Sequence, residues 1–167
     1  MKILILLISF YFLINCSSDN MKDNNKIDFA KELDNNLQLI IYYTSLNTWI
    51  DYPISVDEIK EAYKYKVIVN TRVLRNYFDR IEKINTLELE ETNTSYFDLR
   101  IYCEIINKYG IIYSFGIERS RYEVLVNGKY YKGSEGIFYD IVFPFIPHEA
   151  KGFPGLPGSM GIYIQEK

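Results

Sequence analysis

Few residues of this 167-residue chain could carry acid–base or nucleophilic chemistry, and they lie far apart in the sequence. His148 is the only histidine, and it stands between Pro147 and Glu149. Side chains that are adjacent in sequence need not meet, so this pair does not predict a catalytic dyad. A serine nucleophile would need a sharp turn of the Gly-x-Ser-x-Gly kind, which the chain lacks. We therefore predict no catalytic residue.

Cys103 is the second candidate nucleophile. It lies in a stretch of alternating apolar and polar residues, in which Leu99, Ile101 and Ile105 share its side. This alternation is typical of a strand with one apolar face. Burial raises the pKa of a thiol and makes it unreactive, so we predict an inert core cysteine. Two cysteines and one histidine are too few for a zinc site, and we expect neither a metal nor a cofactor.

The other side of the same predicted strand combines aromatic side chains with both signs of charge. A strand of an antiparallel sheet commonly has one packed face and one solvated face. Tyrosine offers a large, rigid contact area with a polar tip and is enriched at protein interfaces. The 16 tyrosines can also reflect AT-rich coding, which leaves a compositional explanation open. We predict a solvated binding face for a protein partner, formed by Tyr96, Asp98, Arg100, Tyr102 and Glu104.

The order of the predicted elements indicates an α+β fold, with N-terminal helices packed on one face of an antiparallel sheet of hairpins. Apolar spacings of three and four predict the helices, and alternation predicts the strands. Residues 39–44, at the end of the first predicted helix, are also a plausible strand. Residues 66–69 could be a strand or a continuation of the preceding helix, and their β-branched side chains slightly favour the strand. Asn127-Gly128 predicts a tight hairpin, and Ser134 is placed to cap the last helix. Predicted helices cover residues 27–46, 55–63, 73–84 and 135–142; predicted strands cover 66–69, 87–90, 96–105, 111–117, 122–126, 129–132 and 160–165.

The first residues of the chain resemble an export signal. Lys2 precedes an apolar run of 12 residues, Ile3–Ile14, whereas a membrane-spanning helix needs about 20. Leu13-Ile14-Asn15-Cys16 resembles the lipobox of bacterial lipoproteins, although that family usually has Gly, Ala or Ser where Asn15 stands. The resemblance implies cleavage after residue 15 and a lipid on Cys16. We thus predict a signal peptide over residues 1–15, a flexible polar tether over 16–26 and one domain over 27–167.

Charge and the lipobox together set the functional expectation. Without Lys2 the mature chain has 18 basic and 22 acidic residues, which argues against nucleic acid as a partner. The lipid on Cys16 would hold the protein to a membrane of the cell envelope, and Ser17 favours the outer membrane by analogy. We expect a non-catalytic binding protein of the inhibitor, immunity or assembly-accessory type. The alternatives are an envelope hydrolase with an unrecognised site and a carrier of a small ligand or sugar.

Overall fold

The computed structural model describes residues 26–44, 52–94, 96–118 and 123–146, and the backbone of a strand over 162–166. The predicted signal peptide, Cys16 and most of the predicted tether lie outside the described residues. His148 and Glu149 lie outside them as well.

The described residues form an eight-stranded sheet in which every paired strand is antiparallel. The predicted α+β class is confirmed, since the structure combines an antiparallel sheet with several helices. In chain order the elements are α1 (Phe29–Asp34), β1 (Gln38–Tyr43), α2 (Val56–Ala62), β2 (Tyr65–Val69), α3 (Thr71–Leu74), α4 (Phe78–Glu82), β3 (Glu90–Glu91), β4 (Leu99–Asn107), β5 (Gly110–Glu118), β6 (Glu123–Val126), β7 (Lys129–Lys132), α5 (Glu135–Val142) and β8 (Ile162–Glu166). Two 3₁₀ turns, Arg75–Tyr77 and Lys83–Thr86, flank α4, and the strand order is β3-β7-β6-β5-β4-β1-β2-β8.

Local sequence signals account for several element boundaries. Ser55 and Glu58 form a capping box at the start of α2, in which the Glu58 N–H donates to Ser55 Oγ (3.3 Å) and the Ser55 N–H donates to Glu58 Oε2 (2.7 Å). Asn127 and Gly128 both have positive φ, as the tight turn between β6 and β7 requires. Ser134 lies in the left-handed region and its side chain makes no capping hydrogen bond, so the side-chain cap predicted for α5 is wrong.

The first predicted helix is shorter in the structure than in the prediction. It ends at Asp34, a turn with Asn36 at φ 62° follows, and residues 38–43 continue as β1. β1 lies between β2 and β4 in the sheet, so its backbone groups pair on both sides. Tertiary pairing therefore decides in favour of the strand reading of this ambiguous segment.

The main hydrophobic core lies between one face of the sheet and four of the helices. Cys103 and its neighbours Ile101 and Ile105 belong to it, with no exposed side-chain surface. The predicted burial of Cys103 is therefore confirmed. The helices contribute Phe29 and Leu33 from α1, Val73 and Leu74 from α3, Ile81 from α4, and Phe138, Ile141 and Val142 from α5.

A second hydrophobic cluster lies on the opposite face of the sheet, under α2. Ile59 of α2 packs there with Tyr42 and Tyr102, whose chain neighbours Ile41 and Cys103 belong to the main core. Neighbouring residues of a strand point to opposite faces, so α2 covers the face that the other helices leave open. The prediction that the helices pack on one face is therefore wrong for α2.

Two register shifts change which side chains face the main core. One falls between Leu99 and Ile101 of β4, and Leu99 belongs to the second cluster together with Phe97. The other falls at Ile105/Ile106 opposite β5, and it leaves Ile111 58% exposed while Tyr113 is buried. Irregularities of this kind reverse a strand's alternation, which the sequence pattern does not reveal.

Candidate functional site

Four of the five residues of the predicted binding face are buried in the structure. Asp98, Arg100, Tyr102 and Glu104 are each less than 9% exposed, whereas Tyr96 is 55% exposed. α2 lies over β4, and the segment before α2 contacts the start of that strand through a hydrogen bond from the Leu99 N–H to the Ile54 carbonyl (3.3 Å). The prediction that all five side chains face solvent is wrong: α2 packs over Tyr102 and Glu104, and Asp98 and Arg100 are buried at the start of β4, where the register shift between Leu99 and Ile101 falls.

Asp98 and Arg100 form a buried ion pair at the start of β4. The Asp98 Oδ2 atom accepts from Arg100 Nε (3.0 Å) and from Arg100 Nη2 (2.6 Å), and the Arg100 side chain has no exposed surface. Pairing allows both charges to be buried, since an isolated charge in the same place would be strongly destabilising. The second oxygen of Asp98, Oδ1, is buried and makes no hydrogen bond within the described part of the chain.

Lys60 of α2 makes an ion pair with Glu104 of β4. The Glu104 side chain is 7% exposed and that of Lys60 is 33% exposed. The ammonium group of Lys60 also lies 5.0 Å from the centre of the Tyr102 ring. Partial burial alone would lower the pKa of Lys60, but the hydrogen bond and the charge of Glu104 outweigh it and raise the pKa. The pair therefore fastens α2 to the sheet.

Aromatic rings complete the packing between α2 and the sheet. The ring centre of Tyr42 lies 5.8 Å from that of Tyr63 and 6.4 Å from that of Tyr102. Lys66 Nζ lies 5.1 Å from the centre of the Tyr42 ring. These tyrosines are thus engaged with one another and with lysines of the same chain, which is a structural role.

A cleft of about 250 Å³ opens where α2 begins, next to the exposed end of the predicted face. Tyr96, Phe97 and Tyr130 supply aromatic walls, and the Phe97 and Tyr130 ring centres are 5.1 Å apart. Thr94 orders the rim, because its Oγ1 donates to the Tyr96 carbonyl (2.9 Å) and accepts from the Tyr96 N–H (3.4 Å). Pro53, Val56 and Leu125 also line this cleft.

A second cavity, of about 210 Å³, lies on the other side of Ile54. Tyr52, which is 62% exposed, lines it together with Thr44 and the α2 residues Glu58, Ile59, Glu61 and Ala62. Exposed tyrosines therefore stand at both cavities that flank the start of α2. The polar lining of this second cavity includes carboxylates, whereas the lining of the cleft beside Tyr96 does not.

Neither Cys103 nor a metal ligand set contributes to these cavities. Burial, followed by the negative charge of Glu104, raises the pKa of the Cys103 thiol well above its ordinary value. Within the described ranges, no three His, Cys, Asp or Glu side chains come together in a way that could hold a metal ion. None of the described helices is long and apolar enough to cross a membrane.

Comparisons with protein-family models, with curated proteins and with solved structures found no match to this chain.

Of the residues that line the cleft, only Tyr96 was predicted from the sequence as part of a binding face. The other walls come from three separate parts of the chain, which only the fold brings together: the segment of Pro53 and Val56, the segment of Thr94, and the segment of Tyr130. The sequence contains only an indirect signal for this cleft. Pro53 and the capping box at Ser55 predict that a helix begins at this point, but they do not predict which residues lie beside it.

Proposed function

We propose that the protein is a lipid-anchored, non-catalytic binding protein of the bacterial cell envelope, and that the cleft beside Tyr96 receives a side chain of a protein partner. The anchor rests on the resemblance of Leu13–Cys16 to a lipobox. The proposal keeps Tyr96 from the predicted binding face and gives Asp98, Arg100, Tyr102 and Glu104 a structural role.

The observation that carries the proposal is the chemistry of the cleft lining. Its described walls are apolar or aromatic, with hydroxyl groups from Ser55, Thr94, Tyr96 and Tyr130. The Ser55 Oγ atom already accepts a hydrogen bond from the Glu58 N–H, which engages it in helix capping. Exposed aromatic residues beside a pocket that becomes desolvated when a partner binds are typical of interface hot spots. Such a lining supports recognition over general acid–base catalysis, which would need a suitably placed acid or base.

The size of the cleft favours a protein partner over a small-ligand carrier. Sites that enclose a drug-sized ligand have volumes of roughly 300–1,000 Å³, and this cleft has about 250 Å³. A single side chain of a docked protein fits such a cleft, because the rest of the partner covers its opening. An inhibitor, an immunity protein and an assembly accessory would each bind a protein partner in this way, and we propose that the function belongs to this group.

Site-specific photocrosslinking in the native envelope tests the proposal. A photoreactive benzoylphenylalanine at Tyr96 should give a discrete adduct with one protein. The same residue at Glu82, which is exposed on α4 at the opposite face of the sheet, serves as the matched control. An adduct at position 82 without one at position 96 would contradict the proposed site.

Affinity provides the quantitative test once the adduct has been identified. Truncation of an interface anchor costs about 2 kcal/mol or more, so Tyr96→Ala should weaken binding about 30-fold. The stability of the protein should change by no more than about 0.5 kcal/mol, because the side chain is exposed. Unchanged affinity in the Tyr96→Ala variant would place the recognition surface elsewhere.

A further inference from the structure

The hairpin turn between β4 and β5 carries exposed apolar side chains at the tip of the sheet. Tyr109 is 77% exposed and Ile111 is 58% exposed, although large hydrophobic side chains are usually buried. Ile111 pairs with the partly buried Ile106 across the hairpin. Lys108 Nζ lies 4.9 Å from the centre of the Tyr109 ring, so a cation sits beside the aromatic group.

Hydrogen bonds hold this tip in a fixed conformation. The Asn107 Oδ1 atom accepts from the N–H groups of Tyr109 (2.8 Å) and Gly110 (3.1 Å). Asn107 Nδ2 in turn donates to Glu32 Oε2 of α1 (2.6 Å), and the Lys108 N–H donates to the Asn35 carbonyl (3.0 Å). The tip is therefore pinned to the end of α1, and Tyr109 is presented outward by an ordered turn.

The tip lies close to the place where the predicted tether joins the domain. α1 begins at Phe29 and has six residues, so it spans about 9 Å between the end of the tether and the hairpin turn. From Cys16 to Lys26 the chain makes ten steps, which reach about 35 Å when extended and about 17 Å as a flexible coil. A lipid on Cys16 would thus keep this tip within reach of the membrane surface.

We propose that the tip formed by Lys108, Tyr109 and Ile111 is a second membrane contact, which inserts into the interfacial region of the bilayer that holds the lipid anchor. This inference rests on the proposed lipid anchor. Tyrosine and lysine suit the headgroup level, and isoleucine suits the acyl boundary below it. Two exposed apolar side chains bind a bilayer weakly on their own, but the tether makes their insertion an intramolecular step at high effective concentration.

Membrane contact at the tip would also orient the cleft. β4 runs from Leu99, at the cleft, to Asn107, at the hairpin turn. Its nine residues make eight steps, which span about 26 Å at ~3.3 Å per step. With the tip at the bilayer, the cleft beside Tyr96 would stand at the far end of the strand and face an incoming partner.

Spin labelling of the full-length, lipidated protein in phosphatidylcholine vesicles tests the inference. Because Cys103 is buried and Cys16 carries the lipid, a nitroxide on Tyr109→Cys labels one site. The label should collide often with oxygen, which concentrates in the bilayer, and should be protected several-fold from a water-soluble nickel chelate. Tyr96→Cys is the matched control, an exposed tyrosine position whose label should meet the chelate freely. Ile111→Asp should abolish the protection at position 109, whereas Ile111→Leu should retain it.

Vesicle flotation distinguishes the possible failures. Protein that does not float with the vesicles would overturn the lipid anchor and this inference together. Protein that floats, but whose label at position 109 is as open to the chelate as the label at position 96, would overturn the membrane contact and leave the anchor intact. A label protected from both oxygen and the chelate would overturn the membrane contact in favour of a second copy of this chain docked on the tip.

Discussion

The ion pair between Lys60 and Glu104 predicts how strongly α2 is held to the sheet. Replacing Lys60 with methionine keeps most of the apolar stem but leaves the Glu104 carboxylate, 7% exposed, without its cation. Removing one member of a fully buried pair costs about 3–5 kcal/mol, and removing one member of an exposed pair costs about 0–1 kcal/mol. The Lys60 side chain is 33% exposed, so water can partly replace it. We expect Lys60→Met to lower the free energy of unfolding by about 2 kcal/mol, between those limits.

Urea and thermal unfolding of the full-length protein, followed by circular dichroism, measure this change. At roughly 3–4 °C per kcal/mol for a chain of this size, the melting temperature should fall by roughly 6–8 °C. In a Glu104→Gln background the same lysine change should cost much less, because no uncompensated charge remains. Lys129→Met is the matched control: its partner Glu91 lies 3.1 Å away, but both side chains are at least half exposed, and stability should not change measurably.

The pH dependence follows from the raised pKa of Lys60. A lysine whose pKa is higher in the folded state contributes stability that is fully present below its ordinary value of 10.5. That contribution is lost as pH rises through the higher folded value. The stability difference between the wild type and Lys60→Met should therefore be constant around neutral pH and shrink above about pH 10.5. A Lys60→Met variant as stable as the wild type at neutral pH would refute the structural role of the pair.

Three further predictions address the anchor, the buried thiol and the packing of the sheet. In detergent phase partitioning, the wild type should enter the detergent phase and Cys16→Ser the aqueous phase; an intact mass that retains residues 1–15 would contradict lipidation. Cys103 should resist alkylation until the protein is unfolded, and Cys103→Ser should cost about 1–3 kcal/mol in urea unfolding, because it buries a hydroxyl group among apolar side chains. In Gly116→Ala the new Cβ would stand 2.5 Å from Leu99 Cδ1, so the variant should lose about 1–3 kcal/mol. Gly136→Ala, in α5 with open space around it, is the control and should keep or gain stability on thermal unfolding.

Elements with a local cause were predictable from the sequence. The capping box at Ser55 and Glu58 and the hairpin turn at Asn127-Gly128 depend on residues within a few positions of each other, and both are present in the structure. The burial of Cys103 followed from its alternation with Ile101 and Ile105, which the main core confirms. The lipobox was also read from sequence alone, and it stays a prediction because Cys16 lies outside the described residues.

Only the tertiary structure decided what covers each face of the sheet. Alternation in β4 showed correctly that Cys103 and Tyr102 point to opposite sides, but it could not show that α2 lies over Tyr102. Charged residues suggested a solvated face, yet Glu104 is buried because Lys60, distant in sequence, neutralises it. The cleft beside Tyr96 likewise depends on chain segments that meet only after folding. A sequence pattern records which side chains share a face, whereas burial and recognition depend on what packs against that face.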